Sequence, residues 1–600
     1  MDKNVVYAIV FSTLIIIAGV TIQTKFFPSA SSKERAQATE KALPAPSANT
    51  TTPAPAPTPT ATTTVTDSGT APANQAATTT AATVTEEAAI PEETDVIETP
   101  LVKVTFTNRG GDIVSYKLKQ HSAKNDAVEM ADHVTAANRA FSLAFGDANG
   151  APIDQTFNVK RISDTEIGFF RSFTVQNPDG TTGTFTLAKQ YSFRPDDYMF
   201  ELKVIIDGDS SFAGLKMGQA AYTIKTSPEI GPKWVAKHNQ YEFRKYYYMM
   251  DGKKKSFAVN QGQTKTGPEN LSWTGVTGKY FSLIALPESP LSSILYSGQS
   301  ASPDQTVNQI FLTRAAITGA KSTDVWRFYI GPRTDKYLAP YNVAMNNPYK
   351  LADTHIDAIV DSSGILAPLE VLLKWIMEFF YMLIPNWGVS IILLTVLTRI
   401  ILFPLTKKSS ESTLKMQEFQ PKIQEIQQKY QNNPQKMNEE MAKFYKTAGY
   451  NPMSGCLPLL IQFPLLFAMY NLFNNYFEFR GAMFIPGWIP DLSAGDSIMA
   501  FTSALPVLNW TDLRLLPIIY VISQLLFGKV TQTPTTAQQN ASMKIMVYGM
   551  PIFFFFLFYN APSGLLLYWT FSNILTLAQQ IIINRMMHAK KETGLKLVKK

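Results

Sequence analysis

The sequence predicts an α-helical polytopic membrane protein that also carries a large all-β domain outside the cytoplasm and a helical hairpin inside it. Three observations predict this. Apolar runs of spanning length occur at the N-terminus and in the last third of the chain, a central stretch alternates apolar and polar residues with period two, and lysines concentrate in one loop and in the tail. Only 17% of the 600 residues are charged, against about 25% in soluble chains, so part of the chain avoids charge. The formal charge of +7 is compatible with nucleic acid by itself. The placement of the lysines fits membrane topology better, and no direct nucleic-acid recognition is expected. Cys456 is the single cysteine, which excludes an intrachain disulfide framework.

Residues 1–27 read as a transmembrane anchor. The run from Val5 to Ile22 is about 18 residues long, enough for a tilted helix to cross ~30 Å of hydrocarbon and longer than the ~7 to 15 residues of a signal-peptide core. Residues 28–100 read as a disordered Ala/Thr/Pro linker. No aromatic residue occurs from Pro28 to Thr105 and no Lys or Arg from Ala42 to Val102, so the segment cannot bury enough apolar surface to offset the entropy of ordering it.

Residues 101–350 read as one antiparallel sandwich. Val102, Val104 and Phe106 alternate with Lys103, Thr105 and Thr107, and Asn108-Arg109-Gly110-Gly111 follows as a turn. TFTLAKQYSF and YMFELKVII make a strand pair across Arg194-Pro195-Asp196-Asp197, with Tyr198, Phe200, Leu202, Val204 and Ile206 on one face. Residues 351–385 hold an amphipathic helix in which Glu370, Lys374 and Glu378 recur every four residues, the pattern of a helix lying in the membrane interface. Counting it as a span would put the lysine-rich loop on the outer side.

Five spans are expected within 386–588, near 387–405, 453–473, 513–530, 543–559 and 564–583. The loop 407–450 carries eight Lys, the loop 474–510 only Arg480, and Arg585 and the basic tail 589–600 follow the last span. This bias places both termini in the cytoplasm and the β domain outside it.

The loop 407–450 has helical periodicity. Lys408, Lys415, Lys422, Lys429, Lys436 and Lys443 are spaced by seven, and Glu411, Glu418 and Glu425 each precede a lysine by four. Met416, Phe419, Ile423, Ile426 and Tyr430 form an a/d seam, Asn432-Asn433-Pro434 breaks it, and Met437, Met441 and Phe444 supply a second stripe. Two antiparallel helices follow. Pro421 either kinks the first or marks its first turn. Lys415, Lys422, Lys429 and Lys436 make either a solvated face or a docking surface for nascent chains or the ribosome.

One residue in the spans needs an explanation. Arg399 lies in SIILLTVLTRIILFPL, about six residues or ~9 Å from the inner end of its span, and no Asp or Glu lies inside the five core spans. It either snorkels to the inner interface or meets water, polar side chains or a carboxylate brought by a substrate. Polar neighbours are available: Thr395 one turn before it, Gln462 in LLIQFPLLF, Tyr520 and Gln524 on one face, and Asn573, Thr576, Gln580 and Asn584 along the last span with Trp569 one turn above. Singly these read as interhelical hydrogen bonds. Together with an unpaired arginine they indicate a hydrophilic cavity open to the cytoplasm. No HExxH, GxSxG, P-loop or GxGxxG context appears, so no enzymatic activity, metal or cofactor is expected.

LTRIILFPLTKK, the lysine-rich hairpin with QPKIQEIQ, NPMSGCLPLLIQFPLLFAMYNLF and APSGLLLYWTFSNILTLAQQ resemble the core of the YidC/Oxa family of membrane protein insertases. The anchor, the linker and a β region containing TNRGGDI and YIGPRTDKYL resemble its Gram-negative branch, so the resemblance covers essentially the whole chain. It implies a bacterial inner-membrane insertase and chaperone whose periplasmic domain is a β-supersandwich. It also implies a five-span core around a hydrophilic groove open to cytoplasm and lipid, nascent membrane proteins as substrates, and the Sec translocon and ribosome as partners. By this resemblance Arg399 is the groove arginine, Thr395 and Gln462 line the groove, and Tyr568 and Trp569 contact the incoming helix; Trp569 stands where the family has Tyr, which removes a phenol. The β domain also resembles sugar-processing sandwiches, but no carboxylate pair argues for catalysis. The competing reading is a solute or ion transporter or channel with a periplasmic binding domain.

Overall fold

A computed structural model describes residues 83–84 and 90–598, apart from 121–126, 177–179, 234–240, 303–304, 362–363, 450–456, 503–504, 506–509 and 532–547. The expected anchor at 1–27, most of the expected linker and the first residues of the spans near 453 and 543 lie outside the described residues.

The β region is antiparallel throughout. A ten-stranded sheet runs Thr83–Val84, Glu166–Gln176, Thr182–Phe193, Met199–Gly208, Lys321–Pro332, Phe281–Pro287, Trp273–Thr277, Lys245–Met250 and Lys253–Phe257, with Asn158–Ser163 paired off this path. A five-stranded sheet runs Gln263–Gly267, Leu291–Ser302, Gln305–Ile317, Leu215–Lys225 and Ser142–Phe145. The expected hairpin across residues 194–197 forms, with Phe193 opposite Phe200 and Leu187 opposite Ile206. Tyr198, Phe200, Leu202, Val204 and Ile206 are all buried, as their spacing requires. Aromatic side chains cement the two sheets: Phe145 meets Phe173 edge-on at 5.2 Å, Tyr296 meets Tyr246 at 5.0 Å, and Trp326 Nε1 donates to the Tyr222 hydroxyl at 3.1 Å.

The sheet structure begins earlier than residue 101. Thr94–Glu98 pairs with Val102–Thr107, which continues through Asp112–Leu118 to Val128–Glu129 in a four-stranded sheet. TDVIE buries only Ile97, too little alternation to separate it from the linker by pattern alone. Gly110 and Gly111 adopt φ of +68° and +62°. A Cβ on Gly110 would stand 2.6 Å from the Ile153 carbonyl, so the turn demands glycine. The turn delivers a backbone carbonyl to a buried ion cluster. Lys189 Nζ, fully buried, donates to Gly110 O at 3.1 Å, Phe141 O at 2.9 Å and Asp112 Oδ1 at 2.5 Å, while Arg139 Nε reaches Asp112 Oδ2 at 2.9 Å.

The helical region opens with α1, Ala367–Leu383, and α2, Trp387–Lys429. Tyr381 stacks on Trp387 at 3.9 Å at the corner between them, and the Asn386 side chain caps α2 by accepting from Val389 N at 3.2 Å. The charged stripe of α1 has a structural use: the Tyr476 hydroxyl donates to Glu378 at 2.9 Å, and Lys374 lies 5.7 Å from the Tyr476 ring. Leu373 and Met377 pack inward, whereas Val371, Leu372, Trp375, Phe379 and Met382 remain exposed.

Helix α2 is continuous for 43 residues, about 64 Å, with Pro404 and Pro421 both inside it. The hairpin expected at 407–450 therefore starts in mid-helix, and Pro421 does not begin a new one. The second arm is α3, Pro434–Thr447, capped by Asn433, whose side chain accepts from Lys436 N at 3.1 Å. Phe419 meets Phe444 edge-on at 5.5 Å between the arms, and Ile423 is buried. Then come α4, Leu457–Asn475, α5, Leu516–Thr531, α6, Met550–Phe558, and α7, Ser563–Val598. Among the described residues two helices are long and apolar enough to cross a membrane, Trp387–Ser412 and Ser563–Met586; Leu516–Lys529 is apolar but shorter.

Candidate functional site

Helices α2, α4, α5 and α7 carry the polar residues singled out from the sequence. Arg399 projects from α2 toward α7, where Nη2 donates to the Ser572 hydroxyl, and Gln579 Nε2 donates to the Arg399 carbonyl at 3.2 Å. Among the described residues Arg399 makes no ion pair. A hydroxyl offers lone pairs but no charge, so the guanidinium is oriented without being neutralised.

A second cluster lies between α5 and α7. Asn573 Nδ2 donates to Ser523 Oγ at 3.2 Å, Ser523 donates to the Tyr520 carbonyl at 2.7 Å, and Gln524 Nε2 donates to the Tyr520 hydroxyl at 3.1 Å. Trp569 stands among aromatic rings from three helices, 6.4 Å from Tyr470, 5.9 Å from Tyr520 and 4.7 Å from Phe558. Its Nε1 is buried without a hydrogen-bond partner among the described residues. A third cluster joins α2 to α7: Ser410 Oγ donates to Gln580 Oε1 at 3.0 Å, and Gln580 Nε2 donates to Asn584 at 3.0 Å.

The stripe Asn573, Thr576, Gln580 and Asn584 thus contributes to two interfaces, with Asn573 toward α5 and Gln580 toward α2. Thr395 and Thr576 spend their hydroxyl protons on their own helices, on the Ile391 and Ser572 carbonyls at 2.6 Å each, so they offer a ligand only acceptor lone pairs. Tyr568 and Trp569 meet different neighbours. Neighbours on a helix point about 100° apart; Tyr568 is buried against Phe473 at 5.3 Å while Trp569 turns to the aromatic cluster. Gln462, on α4 and partly buried, lies outside these hydrogen-bonded clusters. Ser572, Ser523, Gln579 and Tyr470 were not anticipated. For Ser572 a signal existed, since 569, 572 and 576 follow helical spacing.

On the hairpin, Lys415, Lys422, Lys429 and Lys436 are exposed. Lys422 pairs with Glu425 at 2.7 Å, three residues on. Lys429 and Lys436 flank Tyr430 at 5.7 and 5.9 Å. Among the described residues no cluster of His, Cys, Asp and Glu could hold a metal ion.

Comparison with known proteins agrees with this layout. The family described as the 60Kd inner membrane protein matches residues 379–591, and the YidC periplasmic domain matches 95–371. The membrane protein insertase YidC of Treponema denticola is 52% identical over 98% of this chain and the whole of its own, and that of Treponema pallidum is 45% identical over the same share of this chain and the whole of its own. A solved structure described as an active YidC insertase with its first transmembrane domain resolved is similar over 80% of this chain and 91% of its own, at 19% identity and a TM-score of 0.33. From relatives of such identity over nearly its full length, and from the two matched regions that divide it, the chain belongs to the YidC family of inner-membrane proteins.

Proposed function

We propose that this protein inserts nascent membrane proteins into the bacterial inner membrane and chaperones their folding there, without nucleotide hydrolysis. The observation that carries the reading is Arg399, a partly buried cation whose side-chain partner is a serine hydroxyl and which has no carboxylate partner among the described residues. A charge placed at such depth costs about 3 kcal/mol or more unless it is hydrated or paired, and a substrate with an acidic outer segment would supply the missing partner. Both Treponema relatives bear the name membrane protein insertase.

In this mechanism, five core spans enclose a hydrophilic groove open to the cytoplasm and to lipid. Arg399 attracts the short polar segment of the substrate that must cross. Gln462, Tyr520, Gln524, Asn573, Thr576 and Gln580 hydrate that segment, lowering the desolvation penalty, and the apolar helix then leaves sideways into lipid, driven by its own burial. Trp569 gives the departing helix an aromatic surface. Both termini are cytoplasmic, the β domain is periplasmic, and α1 lies in the outer interface with Trp375 and Phe379 toward lipid. Lys415, Lys422, Lys429 and Lys436 on the hairpin present a basic face for the ribosome, and the Sec translocon is a partner at the membrane.

The test is insertion of a small phage-coat-like protein into proteoliposomes by the purified chain. Arg399→Ala is expected to lower insertion of substrates with acidic outer tails by at least about tenfold, the scale of one lost buried charge interaction. Normal insertion by that variant would sink the mechanism. Flux of ions or solutes through the same vesicles would favour a channel or transporter instead.

A further inference from the structure

No carboxylate lies inside the expected core spans, yet one is fully buried just outside them. Asp496, in the loop between α4 and α5, is 0% exposed. Its Oδ2 accepts from three donors: Trp488 Nε1 at 2.9 Å, Leu515 N at 2.7 Å and Leu516 N at 2.9 Å. The last two are free amides at the N-terminus of α5, so a negative charge there is favoured by both hydrogen bonding and the helix dipole. Oδ1 is buried with no partner among the described residues, so one oxygen does all the holding.

The same loop is stitched to its neighbours around this point. Arg514 Nη1 donates to the Asp496 carbonyl at 2.8 Å and Nε to Asn560 Oδ1 at 3.2 Å, which joins the loop to the segment between α6 and α7. The Tyr559 hydroxyl donates to the Asp512 carbonyl at 2.9 Å and accepts from Arg514 N at 3.2 Å, and its ring stacks on Trp510 at 3.6 Å. Ser563 Oγ donates to the Ala494 carbonyl at 2.6 Å at the start of α7. Gly495 leaves no room for a side chain, since a Cβ would collide with the Arg514 guanidinium. One loop therefore ties together the same ends of α5, α6 and α7, and Asp496 is its buried anchor.

We propose that Asp496 is a positioning residue that keeps the outer end of the helical core closed, so that water and substrate reach the Arg399 and Tyr520–Asn573 clusters from the cytoplasm and lipid alone. This rests on the topology and the insertase reading given above. Ser523 lies seven residues beyond Leu516 on α5, roughly 10 Å along the helix, so an opening at Asp496 exposes it directly.

The experiment uses the full chain with Cys456→Ser and Ser523→Cys in sealed proteoliposomes, with a membrane-impermeant maleimide added on the side that bears the β domain. Asp496→Ala is expected to raise the labelling rate by about tenfold, the scale set by losing hydrogen bonds to a buried carboxylate. Asp496→Asn, whose carbonyl oxygen keeps two lone pairs for the three donors, is expected to label at a rate between the parent and Asp496→Ala. An unchanged rate in Asp496→Ala, whatever its Tm, overturns the proposal, as does Asp496→Asn labelling as fast as Asp496→Ala. If Asp496→Ala fails to fold, Trp488→Phe decides: it removes one donor and leaves the carboxylate, a faster rate supports the assignment and an unchanged rate overturns it. Insertion of a coat-like substrate is measured on vesicles of the unsubstituted chain; its failure would count against the insertase reading and leave the labelling result to judge Asp496.

Discussion

The β domain buries cations and the helical core partly buries one, and they treat them in opposite ways. In the β domain Lys189 spends three hydrogen bonds on two carbonyls and Asp112, and Arg244 is held by Glu229 and Glu242 at 2.8 Å each. In the core Arg399 meets a serine hydroxyl and no carboxylate among the described residues. A buried ion with all its partners in the fold is a structural element, since removing one partner leaves an uncompensated charge. An ion with no carboxylate partner in the fold can still meet one from outside, which is the basis of the role proposed for Arg399.

The comparison can be broken most forcefully at Asp112. Asp112→Ala takes from Lys189 its carboxylate and from Arg139 one of two, Asp154 remaining at 3.0 Å, and is expected to cost the β domain about 3–5 kcal/mol, read as a fall in its unfolding midpoint in the full-length protein. A change below ~1 kcal/mol would show that the cluster is not the structural element its geometry describes.

Lys279 is an intermediate case that sharpens the contrast. It sits where the β domain meets the loop after α4, nearly buried, with Tyr280 at 4.8 Å, its backbone N–H donating to Glu242 at 2.7 Å, and Phe281 and Phe477 packed edge-on at 5.6 Å beside it. Burial pushes its pKa down to about 8, with Glu242 and Asp491 only partly opposing the shift. Between pH 8 and the ordinary value of 10.5 the unfolded chain holds a proton that the folded one has released, so stability rises with pH through that window and is lowest below about 8. The gain is at most about 3 kcal/mol. Thermal unfolding from pH 7 to 10 should show it as a slope that Lys279→Met removes; equal slopes in the two proteins would place Lys279 among the satisfied ions.

The smallest expected change is the most discriminating. Arg399→Met orphans only the Ser572 hydroxyl, which can turn to a carbonyl of its own helix, so stability is expected to stay within ~1 kcal/mol of the parent or to rise while insertion falls. A loss as large as that of Asp112→Ala would mean that Arg399 is a structural ion after all.

Much of this was legible in the residues. Period-two alternation gave the hairpin of 182–193 with 199–208 and its buried face, because a strand's side-chain period is set by its own backbone. The Gly110-Gly111 turn and the helical character of the two arms that meet at Phe419 and Phe444 were legible for the same reason, both being local. Thr94–Glu98 was not, since a strand that buries one side chain carries almost no pattern. That one helix runs unbroken from the span into the hairpin past Pro404 and Pro421 was not, because a proline's cost to a helix is offset by packing that lies far away in sequence.

The sequence by itself determined which segments avoid charge, in which segments lysines accumulate, and that Arg399 has no acidic residue within the expected core spans, because these follow from composition and spacing along one chain. Tertiary structure decided the partners: that Ser572 rather than Thr395 meets Arg399, that Tyr568 is walled in while Trp569 is not, and that Asp496 caps α5 from 20 residues upstream in the loop before it. Which side chains face each other across two helices depends on helix rotation and crossing, which the pattern of either helix alone leaves free.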